Sequence, residues 1–407
     1  MNISAKPGVS KAEFIALIAM MFATIAFSID AMLPALPEIG QALSPEDINR
    51  AQLVLTAFVL GMGMGTFFTG PLSDAFGRKR VIAGGAILYI AAALVAWRAQ
   101  SLELLLASRV VMGLGAAGPR VVGLAIVRDL FSGREMARIM SIAMMIFTLV
   151  PAIAPMLGAG IIAVSSWRAI FLAFTLFALV IIAWMGLRLP ETLPRQNRRP
   201  FRMPLLMGAV REMFAHPSVR LSIMVQTLCL GMLFTMLTMV QQVYDVIFDR
   251  GASFPFWFGF VALMSGSASL LNAAIVVRVG MRRIVTWSLG AQILFSATML
   301  LLSTQALPQT LMFGLFVAWQ TSVFFLAGTT LGNLNAMAME PMGHIAGMAA
   351  SVTGAVSTVL AVAIAAPVGL LFDGTLLPLG TGLLTMTCLA FTLMLRMAHI
   401  EARLPAE

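Results

Sequence analysis

Residues 70–80 read Gly70-Pro71-Leu72-Ser73-Asp74-Ala75-Phe76-Gly77-Arg78-Lys79-Arg80, a short polar stretch between two long apolar runs. Charged side chains in the hydrocarbon core of a membrane cost on the order of several kcal/mol each. We therefore predict a tight loop at a membrane surface, and the three consecutive cations place that surface on the cytoplasmic side. We call this stretch the basic loop, and it is the reference from which the sides of the membrane are assigned to the other segments.

The composition is that of an integral membrane protein. Of the 407 residues, 60% are hydrophobic and 11% are charged, and the mean hydropathy is +0.96; soluble domains have about 25% charged residues. Apolar runs of about 20 residues indicate helices rather than a barrel. We predict an all-α protein with twelve spans, at residues 12–36, 49–71, 80–98, 103–128, 137–163, 167–189, 220–246, 255–277, 283–304, 309–338, 345–372 and 376–396.

The distribution of Lys and Arg predicts the orientation of these spans. With the N-terminus in the cytoplasm, most of the 26 cations fall on the side of the basic loop, and only Arg50, Arg98, Arg168 and Arg250 fall on the opposite side. Cytoplasmic loops of membrane proteins carry such an excess of cations. Both chain termini are therefore predicted to be cytoplasmic.

An internal repeat divides the chain near its midpoint. Gly77-Arg78-Lys79-Arg80-Val81-Ile82 recurs 203 residues later as Gly280-Met281-Arg282-Arg283-Ile284-Val285, and both copies join a second to a third span of their half. We predict two pseudo-symmetric six-helix bundles. The predicted domains are residues 1–190, a Pro- and Arg-rich cytoplasmic linker at 191–218, and residues 219–407; an amphipathic piece at 203–214 is expected to lie on anionic lipid.

Several classes of function are excluded. The net charge of +9 does not indicate nucleic-acid binding, because the cations lie between spans and are explained by topology. Cys229 and Cys388 lie in apolar segments and offer neither a disulfide nor metal spacing. His216, His344 and His399 all fall in cytoplasmic segments, so no catalytic cluster is expected within the membrane, and no phosphate-binding loop is present. We predict no enzyme activity, no metal and no cofactor.

Three ionisable side chains within spans are candidates for function: Asp30, Arg109 and Arg120. Asp30 lies six residues before the predicted outer end of the first span, and Arg109 lies six residues after that of the fourth. At 1.5 Å per residue both would be about 9 Å deep, so a contact between the two side chains is geometrically possible. The carboxyl group could then exchange a proton, or the pair could simply lock two helices together.

Arg120 lies eleven residues after Arg109, which places both on nearly the same face of a helix, three turns apart. Either Arg120 contacts cargo, or it reaches the inner interface or the region of Asp129. In the fifth span, Pro151, Pro155, Gly158 and Gly160 predict a segment that can bend and pack closely against a neighbour. The second half offers neutral polar groups instead, which either orient a ligand or join helices; among them are Gln226, Thr235, Thr238, Gln241, Asn272, Gln320, Asn333 and Asn335.

The basic loop resembles the pattern G-x-L-(S/A)-D-x-x-G-R-(K/R)-(K/R) between the second and third spans of the major facilitator superfamily. The matching residues are Gly70, Leu72, Ser73, Asp74, Gly77, Arg78, Lys79 and Arg80. The end of the first span, Ile29-Asp30-Ala31-Met32-Leu33-Pro34-Ala35-Leu36-Pro37, resembles that of the bicyclomycin/chloramphenicol-resistance subfamily of drug:proton antiporters. Met112 replaces a glutamine usual in the fourth span of such proteins, and Leu124 stands where many of them have an arginine.

The resemblance implies roles for these residues. Asp30 would be the acid that responds to protons and substrate, and Arg109 the arginine of the fourth-span motif. The inner gate would comprise Gly70, Asp74, Gly77, Arg78, Lys79 and Arg80, and the antiporter motif Pro151, Pro155, Gly158 and Gly160. Because two cations would face one buried acid, the cavity should be electropositive and favour neutral, zwitterionic or anionic cargo over lipophilic cations.

Together with the resemblance, these observations predict a monomeric, proton-coupled secondary transporter in the inner membrane of a bacterium that exports small amphipathic compounds. Its partners would be a small-molecule substrate, protons and membrane lipid, with no nucleic acid. The alternative is a dedicated transporter of one endogenous or nutrient metabolite on the same fold, since a fold does not fix its cargo.

Overall fold

The computed structural model describes residues 9–401, and within them it contains twelve long helices. The predicted cytoplasmic termini, residues 1–8 and 402–407, lie outside the described residues. The long helices are α1 (Lys11–Asp30), α2 (Leu53–Phe76), α3 (Arg78–Trp97), α4 (Leu102–Leu130), α5 (Gly133–Val164), α6 (Ala169–Arg188), α7 (Pro217–Gln242), α8 (Phe254–Val279), α9 (Met281–Leu302), α10 (Gln309–Met339), α11 (Ala346–Leu370) and α12 (Leu377–Glu401).

The helices are long and apolar enough to cross a membrane. Eleven segments meet that criterion in the described part of the chain, and one of them, Gln309–Leu370, is 62 residues long and contains both α10 and α11. The predicted number of spans is thereby confirmed. Polar side chains set some of the boundaries: Ser10 Oγ accepts a hydrogen bond from the Glu13 amide at the start of α1, and Ser101 Oγ accepts one from the Leu104 amide at the start of α4.

The first span differs from the prediction. Helix α1 ends at Asp30, and a turn (Leu33–Ala35) and a short helix (Leu36–Leu43) carry the apolar segment beyond the predicted end at residue 36. Pro34 and Pro37 lie at the first turns of these two pieces, where proline is tolerated but cannot continue α1 as a regular helix. Asp30 is consequently a helix-terminal residue rather than a residue inside a continuous span.

Helix contacts repeat between the halves with a shift of six helices. The pairs α1–α5, α2–α4, α3–α4 and α3–α6 recur as α7–α11, α8–α10, α9–α10 and α9–α12. The halves meet through α2 with α11 and through α5 with α8, two contacts that the same shift relates. The two pseudo-symmetric six-helix bundles are confirmed, whereas the domain boundaries at residues 190 and 219 stay a prediction.

Close helix approach positions α4 against α2. A Cβ atom on Gly113 of α4 would lie 2.1 Å from the carbonyl oxygen of Phe58 in α2, which no side chain could tolerate. Only glycine allows this approach, and it brings the turn that bears Arg109 directly onto α2.

The repeated basic sequences adopt the same backbone conformation. Gly77 (φ +100°, ψ 154°) separates α2 from α3, and Gly280 (φ +89°, ψ 143°) separates α8 from α9. Residues 70–76 end α2 and residues 78–80 begin α3, so the predicted tight loop is reduced to Gly77. Both lie in a region that side chains disfavour. The repeat seen in the sequence is thus also a repeat of structure.

The amphipathic piece of the linker forms a helix, Met203–Ala215, as predicted. Part of its apolar surface is covered by protein: Leu206 and Met213 are buried against Val219, Ala338 and Val352 of the second bundle. Met203, Leu205 and Met207 of the same helix are exposed, so the expectation that this piece lies beside anionic lipid stays a prediction.

Candidate functional site

Asp30 lies at the C-terminal end of α1 with 5% of its surface accessible. Within residues 9–401 its carboxyl group forms no hydrogen bond and has no cation within 4.0 Å. Such groups are costly unless they are paired, and an acid of this kind in a membrane span is a candidate for function.

Arg109 is fully buried in α4, and its guanidinium contacts two helices. Its Nε donates to the Val54 carbonyl of α2 (3.1 Å) and its Nη2 donates to the Ser28 carbonyl of α1 (2.9 Å). The guanidinium carbon lies 4.4 Å from the centre of the Phe58 ring. Its Nη1 has no hydrogen-bond partner among the described residues, so one donor is available for a further group.

The contact predicted between Asp30 and Arg109 is not formed in this structure. Arg109 reaches α1 near Asp30, but it binds the main chain of Ser28 two residues earlier. Carbonyls at the last turn of a helix lack intrahelical partners and carry partial negative charge, so they compete for the guanidinium.

Ser28 and Tyr89 complete this group and were not anticipated from the sequence. The Ser28 hydroxyl, itself donating to the Thr24 carbonyl, lies 2.6 Å from the Tyr89 hydroxyl of α3, and both residues are buried. The chain contains only two tyrosines, and the other, Tyr244, is also buried and donates to Gln320 Oε1 at 2.9 Å. The rarity of tyrosine in these apolar helices is the sequence feature that could have indicated a role for Tyr89.

Helix α5 packs against the chain immediately after Asp30. A Cβ atom on Gly158 would lie 2.1 Å from the Ala31 carbonyl oxygen, whereas one on Gly160 would meet nothing within 4 Å. Pro151 and Pro155 both lie inside the helix. Gly158 therefore belongs to the surroundings of Asp30, and the predicted close packing of this segment applies to Gly158 rather than to Gly160.

Arg120 is exposed, although it lies ten residues before the end of α4. Leu124, one turn later, is 45% exposed, so both residues lie on a face of α4 that the described protein leaves uncovered. Arg120 makes no hydrogen bond or ion pair with a described residue. The alternative in which it pairs near Asp129 is wrong for this structure, since Asp129 binds Arg78 and Thr192 instead.

The basic loop is built around Arg78, which is 4% exposed. Its Nη1 donates to Asp74 Oδ1 (2.6 Å) and to Ser73 Oγ (2.7 Å), and its Nε donates to Asp129 Oδ2 (2.9 Å) at the end of α4. A planar guanidinium is suited to such a fork of acceptors. Gly70 lies beside Ser351 of α11, so the loop begins where the two halves meet. Arg80 is exposed.

Glu191, a linker residue that was not anticipated from the sequence, binds the basic loop at the start of α3. Its carboxylate accepts from the amides of Arg78 (2.9 Å) and Lys79 (3.2 Å), at the start of α3. Lys79 Nζ donates to the Gly186 carbonyl (3.0 Å). A side chain on Gly77 would collide with Glu191. This carboxylate satisfies orphan amides at a helix N-terminus, where negative charge is favourable.

Replacing Glu191 with glutamine is expected to lower the stability of the first bundle by about 1 kcal/mol, because the charge at the start of α3 is lost while the shape is kept. The apparent unfolding temperature in detergent should fall by about 1–3 °C. Glu46→Gln removes an equivalent charge from an exposed position and should leave it unchanged. An equal fall in both variants would contradict the capping role.

At the opposite end of the bundle, neutral amides join the two halves. Gln52 Nε2 donates to Gln242 Oε1, Gln242 Nε2 donates to Asn49 Oδ1 (3.1 Å), and Asn49 Nδ2 donates to the Phe372 carbonyl (2.7 Å). Asn49 and Gln52 precede α2, Gln242 ends α7, and Phe372 follows α11. We call Asn49, Gln52 and Gln242 the amide cluster. No pattern in the sequence indicates that these residues meet.

Helix α7 carries buried polar atoms without partners. Among the described residues, Gln226 Oε1, Thr235 Oγ1 and Gln241 Oε1 accept no hydrogen bond although each residue is at most 7% exposed. Unpartnered buried acceptors are costly unless water or a ligand supplies donors.

Of the other predicted polar groups, Asn272 of α8 and Asn333 of α10 form hydrogen bonds with each other and so join these two helices.

The described residues hold no group of three or more His, Cys, Asp or Glu side chains able to bind a metal ion. The absence of a metal or cofactor stays a prediction.

Comparison with known proteins assigns a family. Residues 16–398 match the Major Facilitator Superfamily. The chain is 31% identical over 335 residues to a bicyclomycin resistance protein homolog of Haemophilus influenzae, covering 81% of this chain and 82% of that protein. It is 26% identical over 332 residues to the multidrug resistance protein MdtL of Shewanella oneidensis, covering 80% and 81%. The crystal structure of the peptide transporter POT in complex with sulfate superimposes with a TM-score of 0.75 at 13% identity, covering 99% of this chain and 96% of that one.

Proposed function

The chain belongs to the major facilitator superfamily, and on that basis we propose that it exports small amphipathic compounds in exchange for protons. Membership makes it a multi-pass membrane transporter. The relatives named for resistance to bicyclomycin and to multiple drugs support efflux as the direction and drugs as the cargo. The alternative of a transporter dedicated to one metabolite keeps the same fold and differs only in the breadth of its cargo.

The observation that carries the proposal is the isolated carboxyl group of Asp30. Because it has no partner in the described chain, it can gain or lose a proton without breaking a protein contact. It lies beside the contact of α5 with α1 and two residues from the carbonyl that Arg109 binds. A change in its charge therefore acts where α1, α4 and α5 meet.

In the proposed cycle, a proton from outside neutralises Asp30 and favours the arrangement with the cavity open to the cytoplasm. Cargo then binds, and its binding promotes proton release. Loss of that proton leaves a carboxylate near Arg109, whose Nη1 is unpartnered, and formation of this pair would stabilise the other arrangement of the two halves. The contact predicted from sequence thus becomes a feature of one state of the cycle.

Three sets of polar groups support a preference for neutral, zwitterionic or anionic cargo. Arg120 is exposed, Arg109 has a spare donor, and α7 offers unpartnered amide oxygens. A lipophilic cation would meet two guanidinium groups, whereas a compound with an acidic or carbonyl group and a few donors would satisfy them.

For the orientation we propose that the basic loop faces the cytoplasm of a bacterium, with both termini on that side and the protein in the inner membrane as a monomer. The excess of Lys and Arg at that end supports this. The amide cluster then lies at the outer surface. The interaction of the basic loop with Glu191, Asp129 and α11 supports a role as inner gate.

Inverted membrane vesicles with an acidic interior test the proposal. Vesicles containing the protein should accumulate labelled chloramphenicol, or another member of a cargo panel that includes zwitterionic, anionic and cationic compounds, and nigericin should abolish the accumulation. Vesicles without the protein are the control. Accumulation of a single metabolite alone would favour the dedicated transporter, and uptake that persists without a pH gradient would refute proton coupling.

A further inference from the structure

A basic turn of the repeat precedes both α3 and α9, but the two helices differ in which groups bind their first backbone amides. At the start of α3, the Glu191 carboxylate accepts from the amides of Arg78 and Lys79. Helix α9 begins at Met281 without a side-chain cap. The second half therefore keeps the backbone of the turn, while no carboxylate among the described residues accepts from the amides of Met281 and Arg283.

A cavity of about 410 Å³ lies at this uncapped helix start. Its wall includes Met281 and Arg283 at the start of α9, Ser218 and Ser222 near the start of α7, and Glu340 at the end of α10. Helix α7 also begins here, at Pro217, without a side-chain cap. Two helix N-termini thus converge on one cavity, and each carries partial positive charge.

Buried polar atoms at the cavity wall have no partners. Ser222 is fully buried, and its Oγ forms no hydrogen bond with any described residue. His216 Nδ1 is likewise buried and unpartnered in the described chain, and His216 lines the cavity. A hydroxyl and an imidazole nitrogen can both donate to an oxygen-rich group. These atoms indicate that something other than the described protein satisfies them.

The charge of the cavity wall favours an anion. Arg283 lines it, and Glu340 is the one carboxylate among the described lining residues. Arg283 is exposed and can turn toward a ligand, and guanidinium groups bind phosphate through paired hydrogen bonds. Helix N-termini bind phosphate through their free amides.

We propose that this cavity binds a phosphate group, which takes the place that Glu191 holds in the first half. The volume far exceeds that of a carboxylate, and the cavity lies at the end of the bundle that carries the basic residues. The phosphate comes either from the headgroup of an anionic phospholipid or from soluble phosphate. Once bound, it joins the starts of α7 and α9 as Glu191 joins the linker to α3.

The test uses the full chain in nanodiscs, with thermal unfolding as the readout. Wild type is compared in phosphatidylcholine alone, in phosphatidylcholine with phosphatidylglycerol, and in phosphatidylcholine with millimolar inorganic phosphate. Ligand that binds only the folded protein should raise the unfolding temperature by about 2–4 °C. A rise with phosphatidylglycerol alone identifies the lipid headgroup as the source, and a rise with inorganic phosphate identifies the soluble ion.

Arg283→Gln and Ser222→Ala should each remove most of the rise. Arg80→Gln is the matched control, because Arg80 is the exposed residue that the repeat relates to Arg283, and it should keep the full rise. No rise in either condition, or an equal loss in Arg80→Gln and Arg283→Gln, would overturn the proposal. If Ser222→Ala does not fold, the rise in unfolding temperature is compared between Arg80→Gln and Arg283→Gln only, and this comparison still tests the proposal.

Discussion

Asp30→Asn vesicles are expected to accumulate no more cargo under an imposed pH gradient than vesicles without the protein. Asparagine has nearly the shape of aspartate but carries no exchangeable proton, so the coupling between proton and cargo is lost. Because the Asp30 carboxyl group has no partner in the described structure, the substitution removes no contact. Amounts in the membrane and unfolding temperature should therefore match those of wild type.

The measurement should include exchange of labelled against unlabelled cargo without a gradient, which requires movement of the halves but no net proton transfer. We expect this exchange to survive in Asp30→Asn. Glu38→Gln is the control, since Glu38 is an exposed acid in the short helix that follows α1, and it should keep gradient-driven uptake. Uptake that survives in Asp30→Asn would remove Asp30 from the mechanism.

Gly158→Ala should strongly reduce transport. The added methyl carbon would lie 2.1 Å from the Ala31 carbonyl oxygen, so α5 and α1 would have to separate next to Asp30. Overpacking of this kind costs about 1–3 kcal/mol. If the cost falls on one arrangement of the halves, the equilibrium between arrangements shifts about tenfold for every 1.4 kcal/mol.

Gly160→Ala provides the matched comparison, because the same methyl group on the same helix meets nothing within 4 Å. Uptake of cargo in the vesicle assay should remain at the wild-type level in Gly160→Ala and fall about tenfold or more in Gly158→Ala. Equal activity of the two variants would show that the contact between Gly158 and Ala31 does not limit transport.

The fold could be predicted because each span is a local property of the sequence. Runs of apolar residues predicted the helices, and the repeat around Gly77 and Gly280 predicted the two-fold relation between the bundles. The positive φ of both glycines explains why glycine recurs there. The end of α1 at Asp30 was missed, because hydropathy continues through Pro34 to Leu43 while the helix does not.

The candidate site could be predicted only in part. Counting residues from a membrane surface gives the depth of Asp30 and Arg109 but not the direction in which each side chain points. Whether the Arg109 guanidinium binds a carboxylate or a backbone carbonyl depends on these directions. Glu191 lies 113 residues from Arg78 in the sequence, and no local pattern connects them. The amide cluster arises in the same way, from three segments that only the folded chain brings together.

The amide cluster bears on how the protein responds to membrane voltage. Asn49, Gln52 and Gln242 carry no formal charge, so separating them moves no charge through the electric field of the membrane. A charged group that crosses the field changes in energy by about 2.3 kcal/mol per 100 mV. Breaking the amide contacts themselves should therefore cost the same free energy at any membrane voltage, and the voltage dependence of the cycle should reside in its charged groups.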